Sequence, residues 1–488
     1  MAQKITIEPV TRVEGHGKVT IHLDDNYQVT ESRLHIVEFR GFERFVCGRP
    51  FWEAPVLVQR LCGICPVSHH LAAAKAMDML VGAGDGNGLT PVAEKMRRLM
   101  HYGQIFQSHV LHFFHLASPD LLFGLDADPE RRNVIGVILE HTELAKQAVL
   151  MRKYGQEIIA ATAGKKIHGT GAIPGGINKN LSLEERDAFL HGINGNPDLS
   201  VDKMIEWSES ALALLNDYHG SHKEFLDTFA TFPSNHLSLV RPDGALDLYH
   251  GVIRAVDAQG KRIVNDVDSR DYLDVVAEEV RSWSYMKFPY IREIGKENGW
   301  YRVGPLARLN VCDFIPTPRA QQEFERFRAY TKGKPNNMSM HYHWARLIET
   351  LHAAEMMKEL LLDPDLQKTD LVTKGERCGE GIGLLEAPRG TLFHHYQVDE
   401  QDLITMCNLI VSTTNNNEPM NQAVNAAAVA QMTGKAEITE PMMNAVEVAI
   451  RAYDPCLSCA THAMGQMPLE VTLYDAAGAV INQQRKGM

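Results

Sequence analysis

The sequence predicts an α+β fold: a body of long, bundled helices, an N-terminal antiparallel strand region over about residues 1–45, and smaller peripheral β patches. Three observations predict it. The first 45 residues read as short strands parted by turn residues, most of the later chain carries apolar residues at three- and four-residue spacing, and no Pro/Gly/Ser linker divides it.

Residues 5–10, 17–23 and 33–39 alternate or are rich in β-branched residues, and Asp24, Asp25 and Asn26 supply the turn before the third. Residues 66–80 are alanine-rich and open on a proline, as a helix does. Residues 91–116, 130–161, 201–230, 318–332, 337–362 and 441–452 are further helices. Strand-rich patches run over 246–264 and 383–398. Residues 1–462 form one body. In 463–488, residues 469–474 alternate, 475–478 turn and 479–482 return, which predicts a terminal hairpin.

The chain has 488 residues and a net charge of −12, which argues against nucleic acid or an anionic membrane as partner. The start, MAQKITIEPVTRVEGHG, has no apolar core for a signal peptide, and no apolar run is long enough to span a membrane. A cytoplasmic protein without a transmembrane segment is expected. The glycine-rich stretches 164–176 and 379–383 lack the G-x-G-x-x-G spacing, so a nicotinamide cofactor, if one is involved, binds another subunit.

Eight cysteines in so long a chain do not make a disulfide framework. Cys47, Cys312, Cys378 and Cys407 stand alone and read as small buried residues. The other four form two C-x-x-C pairs, Cys62/Cys65 and Cys456/Cys459. Gly63 is expected to allow a tight turn between the first two sulfurs. Pro66 suits the first helical position, which puts Cys65 near a helix N-terminus that favours thiolate. His69 lies one turn on and can reach back to the sulfur. Asp454 precedes Pro455 and is expected to be extended, aiming Cys456 out of the preceding helix.

The pattern admits three readings. A structural zinc Cys₄ site usually keeps its pairs within one small module, and here nearly the whole chain separates them. A redox C-x-x-C expects a βαβ setting that neither flank shows. A catalytic soft-metal site clamped between the chain ends suits four thiolates. Three histidines, His109, His112 and His115, are spaced like a ligand ladder but read more simply as core or interface residues, and the twenty methionines as core filler.

R-x-C-G-x-C-x-x-x-H around Cys62 and D-P-C-x-x-C-x-x-H around Cys456 resemble the two signature motifs of nickel–iron hydrogenase large subunits. Order, spacing and flanks agree, and the resemblance covers most of the chain. Residues 12–16 (RVEGH), 39–43 (FRGFE) and 386–390 (EAPRG) look like further family elements. CGICPVSHHLAAAKAMD and DPCLSCATHAMGQMP most resemble the soluble, bidirectional, NAD-reducing subgroup. The related complex I subunit lacks these cysteines.

The resemblance implies reversible, heterolytic splitting of H₂ at a Ni–Fe centre. Cys62 and Cys456 would be terminal nickel ligands, and Cys65 and Cys459 would bridge to an iron carrying CO and two cyanides. Pro388, Arg389 and Ser412 would face the cyanides, with His69 beside the sulfurs. Glu43, His462 and a main-chain carbonyl such as that of Asn408 would hold magnesium. Many relatives carry a Pro and a Trp in the stretch 411–415, and both are absent here. For the proton, Cys456 passing to Glu14 is favoured; the alternative acceptor is Arg389, flanked by a carboxylate pair, Asp120 and Asp454.

The remaining cysteines make no iron–sulfur ligand set. The resemblance therefore implies an iron–sulfur small subunit, diaphorase subunits with FMN and NAD, nickel chaperones, and a maturation endopeptidase that removes 463–488. One physical reason for removal is that the tail holds Cys456 and Cys459 away from the first pair. The same H₂ chemistry coupled to NADP or a deazaflavin stays open, as does a non-enzymatic scaffold stapled by zinc.

Overall fold

The computed structural model describes residues 3–84, 88–462, 469–474 and 480–486. The N-terminal sheet is antiparallel, with Gly17–Leu23 between Gln3–Ile7 and Val29–Ile36. Alternation turns Ile7, Val19, Ile21, Leu34 and Ile36 into the core. The third strand starts and ends earlier than the sequence suggests.

Behind this sheet lies the helical body. Pro91–Leu111 packs along Thr142–Ala163 and against Tyr342–Leu362, which also meets Val201–Ser221. Two glycines let the first pair cross closely. A Cβ on Gly103 would stand 2.7 Å from Ile158, and one on Gly155 would stand 2.8 Å from Gln107. Helix Pro66–Leu80 has the expected bounds, with Cys65 at its N-cap and Pro66 as first residue. The predicted helix over 91–116 passes at its end into a π-helical turn, His112–Ala117. That over 130–161 divides into Val134–Glu140 and Thr142–Ala163, and that over 201–230 breaks at His222. Helix Asn417–Met432, rich in asparagine and alanine, had no clear periodic signal; it packs on Glu440–Arg451.

Two larger sheets complete the body, beside two short pairs, Ala172–Ile173 with Gly176–Ile177 and Val276–Glu279 with Phe288–Ile291. Asn235–Val240, Val252–Val256 and Arg262–Val267 run antiparallel, with Tyr301–Arg302 parallel to the first. Glu380–Ala387, Gly390–Val398 and Ile404–Ile410 form the other, antiparallel in that order. Its first strand lies directly on helix Pro66–Leu80: a Cβ on Gly381 or Gly383 would overlap the carbonyl of Ala76 or Ala72. The stretch 379–383 thus uses glycine for helix–sheet contact rather than for phosphate.

No helix among the described residues is long and apolar enough to cross a membrane. At the C-terminus, Leu469–Tyr474 pairs antiparallel with Val480–Lys486. The turn expected at 475–478 lies outside the described residues.

Candidate metal centre

The two cysteine pairs meet. Their four sulfurs lie within 4.8 Å of one another, all buried, although the pairs are 394 residues apart in sequence. Cys62 Sγ is 3.3 Å from Cys456 Sγ, Cys65 Sγ is 3.8 Å from Cys459 Sγ, and Cys456 and Cys459 are 2.6 Å apart. Thiolates at about 2.3 Å from a shared ion stand a little under ~4 Å apart, so the two spacings between the pairs suit coordination, and Cys456 and Cys459 would move apart to share an ion. Each sulfur of the first pair thus has a sulfur of the second within 4 Å.

Local structure explains the aim of each sulfur. Cys62 follows a short 3₁₀ turn, and its sulfur accepts the backbone N–H of Ile64 at 3.1 Å and of Cys65 at 3.4 Å. Gly63 does not earn its place by a left-handed turn: it is absent from the positive-φ glycines, and a Cβ there meets nothing. Asp454 is not extended either. Its φ is 53°, the left-handed region, because Arg389 holds both its carbonyl, through Nε at 2.5 Å, and its carboxylate, at 3.0 Å. The N–H of Cys456 donates to Thr413 Oγ1 at 2.9 Å, and the N–H of Leu457 to the Glu14 carbonyl at 2.9 Å.

Burial pushes the Cys456 and Cys459 thiols up, whereas hydrogen bonds from Cys456 and Cys459 hold Cys65 well below the ordinary thiol value. Burial lowers Arg389, but Asp454 and the sulfurs of Cys456, Cys65 and Cys62 outweigh it and leave the guanidinium above its usual value. Burial lifts Asp454 to about 6 against the pull of Arg389.

Glu14, half-buried, reaches the sulfurs from the N-terminal segment. Its Oε2 is 3.0 Å from Cys456 Sγ and accepts the Ser458 N–H at 3.2 Å, while the Ser458 hydroxyl donates to Oε1. Ser458 and Gly15 had no separate place in the sequence reading. Gly15 has φ 82°, and a Cβ there would stand 2.6 Å from Ser458 N, so glycine is required where the first segment crosses the last.

Arg389 and Pro388 form the two-residue turn between paired Ala387 and Gly390, which drives Arg389 toward the sulfurs. They line a small cavity with Cys65, Cys459, Ser412 and Ser68. Buried Arg389 Nη1, Asp454 Oδ2 and Ser68 Oγ have no partner among the described residues. A buried guanidinium N–H left over beside four thiols suits a small anionic ligand there. Ser412 donates to the Gly390 carbonyl at 2.7 Å. The expected carboxylate pair around Arg389 is reduced to one member. Asp120 is bound instead by Arg12 at 2.5 Å and Arg451 at 2.9 Å, whose charges claim both its oxygens.

His69 lies beside Cys65, where its hydrogen bond adds to the lowering of the thiol. Its Nδ1 is 3.2 Å from His394 Nε2, and His394 Nδ1 is 2.7 Å from the Tyr396 hydroxyl. Glu43 accepts the Leu409 N–H at 2.9 Å, the far side of the Asn408–Leu409 peptide, and burial raises its carboxyl. The Asn408 side chain turns away to donate to Tyr272 at 2.9 Å. Arg40 and Gly41 N–H bond to the Thr461 carbonyl, and Phe42 packs edge-on against His462, so the segments of Glu43 and His462 are joined. His462 Nε2 meets the Cys459 carbonyl, its Nδ1 has no partner among the described residues, and burial holds the ring neutral, with pKa lowered to about 3. A neutral imidazole with a spare nitrogen and a nearby carboxylate fit a hard cation whose shell is completed by carbonyl and water.

The other cysteines divide. Cys312 and Cys407 are buried as expected, and burial pushes Cys312 up to about 12. Cys47 is half-buried and Cys378 is exposed, which corrects the reading of both as interior residues. The histidine ladder binds nothing in common: His109 meets Glu349 at 2.9 Å and His112 meets the Arg451 carbonyl at 2.7 Å. The sulfurs converge in the chain that still carries the terminal hairpin, so that hairpin does not hold the pairs apart.

Comparison with known proteins gives the same picture. Residues 40–136 and 246–462 match the profile of the nickel-dependent hydrogenases, and residues 4–39 match a HoxL-like profile. The NAD-reducing hydrogenase HoxS subunit beta of Cupriavidus necator is 55% identical over the full length of both chains. A chain of the F420-non-reducing hydrogenase of Methanothermobacter thermautotrophicus is 41% identical over 98% of this chain and 99% of that one. Among solved structures, an NAD⁺-reducing [NiFe]-hydrogenase in the H₂-reduced state superposes with a TM-score of 0.90 at 55% identity, over 94% of this chain and 99% of that one. A [NiFeSe]-hydrogenase from D. vulgaris Hildenborough shares the fold at 22% identity, over 95% of this chain and 100% of that one, with a TM-score of 0.74.

Proposed function

The chain belongs to the nickel-dependent hydrogenase family, and from that membership we propose that it is the H₂-activating subunit of a cytoplasmic complex that exchanges electrons with NAD. The observation that carries this reading is the convergence of four buried sulfurs with Glu14 in contact with one of them. Cys62, Cys65, Cys456 and Cys459 would hold a nickel–iron pair, which supplies the two-electron exchange with H₂.

The chain's own residues manage the proton and the surroundings. Cys456 Sγ is the first acceptor. It hands the proton to Glu14 Oε2 at 3.0 Å, and the half-buried Glu14 opens the way outward. The Ser458 hydroxyl and N–H fix both Glu14 oxygens, so the carboxylate faces the sulfur in one orientation. Arg389 is tied to Asp454 through two nitrogens and remains charged, which disfavours it as a base. Its spare Nη1 suits a cyanide on the iron, with Pro388 as apolar wall and the Ser412 hydroxyl able to turn toward a second cyanide. Magnesium would use Glu43, His462 and the Asn408 carbonyl, with waters.

Electrons leave to a small subunit carrying iron–sulfur clusters, then to diaphorase subunits carrying FMN, as the likeness to the NAD-reducing relative supports. Maturation would take nickel chaperones and an endopeptidase that removes 463–488. The deciding experiment joins elemental analysis with infrared spectroscopy. About one nickel per chain, iron in excess of nickel because the partner clusters add their own, CO and CN stretches, and H₂-dependent reduction of NAD⁺ by the complex are expected. Zinc alone in the cysteine site, without those bands, overturns the reading in favour of a stapled scaffold.

A further inference from the structure

Among the described residues a second group has the composition of a metal site: His219, Asp227 and His341, whose ligand atoms lie within 4.8 Å of one another. They come from three segments. His219 is near the end of helix Val201–Ser221, Asp227 is on the short helix Lys223–Thr228, and His341 ends the turn Ser339–His341 that leads into Tyr342–Leu362. We propose that these three side chains bind a divalent transition ion of the zinc class, which staples the three segments together.

The spacing is the first argument. Asp227 Oδ1 is 3.3 Å from His219 Nε2 and 3.3 Å from His341 Nε2. Ligands about 2.0–2.1 Å from a tetrahedral ion stand about 3.3 Å apart. The imidazole planes cross at 75°, with centroids 5.0 Å apart, so the rings converge on a point rather than stack. Two imidazoles and a carboxylate are a donor set that zinc-like ions favour over magnesium or calcium.

The second argument is a poorly satisfied atom. His341 is 2% exposed in its side chain, and its Nε2 lies at ion-pair distance, 3.3 Å, from the Asp227 oxygen without the geometry of a hydrogen bond. A buried ring nitrogen aimed at a carboxylate without bonding to it is costly alone, and a bound cation between them removes the cost. His219 and Asp227 keep 13% and 18% of their side chains exposed, which gives an ion a way in. Tyr330 Oη donates to the Asp227 carboxylate, 2.7 Å from Oδ1 and 2.6 Å from Oδ2, and so holds it in place beside the imidazoles.

Two neighbours set the conditions. Lys223 donates to Asp227 Oδ2 and to Tyr330, but it is largely solvent-exposed and takes the oxygen that the imidazoles do not face. Asn336 Nδ2 donates to His341 Nδ1 at 2.7 Å, while its Oδ1 accepts the Met338 N–H at 3.0 Å. Coordination through Nε2 places the ring proton on Nδ1, so the Asn336 amide must turn over to accept it, giving up the Met338 bond. A carboxylate at 336 could accept from both at once. Asn336→Asp is therefore expected to tighten the site, a result that a merely structural cluster would not give.

The test uses the assembled complex with its cysteine centre loaded, so that those sulfurs are not free to take the probe, zinc chloride. Anomalous scattering at the zinc edge should place an ion between the three side chains. Calorimetric titration should show one zinc per chain, lost in Asp227→Asn and in His219→Gln and about tenfold tighter in Asn336→Asp. Zinc should raise the melting temperature of the parent protein and leave that of Asp227→Asn unchanged. An empty anomalous map, or zinc uptake equal in parent and variants, overturns the proposal. If Asp227→Asn does not fold, His219→Gln at the more exposed edge decides.

Discussion

At the scale of single residues, the centre is held by contacts that tolerate little change. Glu14→Gln keeps the shape and the bond from the Ser458 N–H, while its NH₂ donates to the Ser458 hydroxyl instead of accepting from it, but it cannot take a proton from Cys456. Metal content should stay at the parent level while H₂ oxidation falls by about 100-fold or more, in keeping with a lost proton-transfer group. Near-parent turnover would move the proton exit elsewhere, and Arg389 would return as the candidate. Gly15→Ala should act earlier. Its Cβ would drive Ser458 and Leu457 aside, so the variant should lose nickel in elemental analysis even where circular dichroism reports an intact fold. Parent nickel content in Gly15→Ala would show that the crossing has more slack than the geometry allows.

At the scale of elements, the site rests on helix Pro66–Leu80 and the strand Glu380–Ala387 beneath it. The helix presents Cys65 and His69, and the sheet presents Arg389 at its turn, so their separation sets the distance between sulfur and guanidinium. Gly383 allows that separation because any side chain would meet the Ala72 carbonyl and Lys75. Gly383→Val is expected to destabilise the protein by roughly 1–3 kcal/mol as an overpacked contact. If this element really positions the site, the CN stretches in the infrared spectrum should also shift, through the displaced Arg389. A loss of melting temperature with unmoved CN bands would confine Gly383 to packing. The predicted helices failed at their ends. Periodicity continues through His112–Ala117 and across His141 and His222, but the backbone widens to a π-helical turn in the first and leaves helical φ/ψ at the other two, changes that a side-chain pattern does not register.

At the scale of the whole molecule, many histidines are buried and neutral. Burial is the main cause for His101 and His236, both lowered to about 3, and for His352, lowered to about 4. In the unfolded chain these rings take a proton below about 6.5, whereas in the fold they stay neutral until about 3 or 4. The unfolded state therefore binds more protons in that interval. Their contribution to stability is complete above pH 6.5 and is lost progressively as pH falls toward 4. The melting temperature should decline over that window, and His236→Gln should make the decline shallower; an equal slope in the variant would assign the acid sensitivity to other groups. The terminal hairpin belongs to this scale too. Mass spectrometry of turnover-competent protein should find a chain ending near His462, and an intact Met488 would contradict removal of the tail.

The sequence by itself determined the helical body, the N-terminal strands, the start of helix Pro66–Leu80 and the identity of the four sulfurs, because periodicity, proline position and motif spacing are local properties written along the chain. Tertiary structure alone decided which atoms meet. Asp120 and Asp454 are equally acidic in the sequence, yet only Asp454 lies on Arg389, since Arg12 and Arg451 reach Asp120 first. Asp454 is left-handed despite the proline after it, because two bonds to Arg389 outweigh a local preference. Ser458, Gly15 and the group around Asp227 carry no local signal, because their roles arise between segments far apart in the chain. Pairing over such distances is governed by packing and charge across the folded body, which no window of neighbouring residues contains.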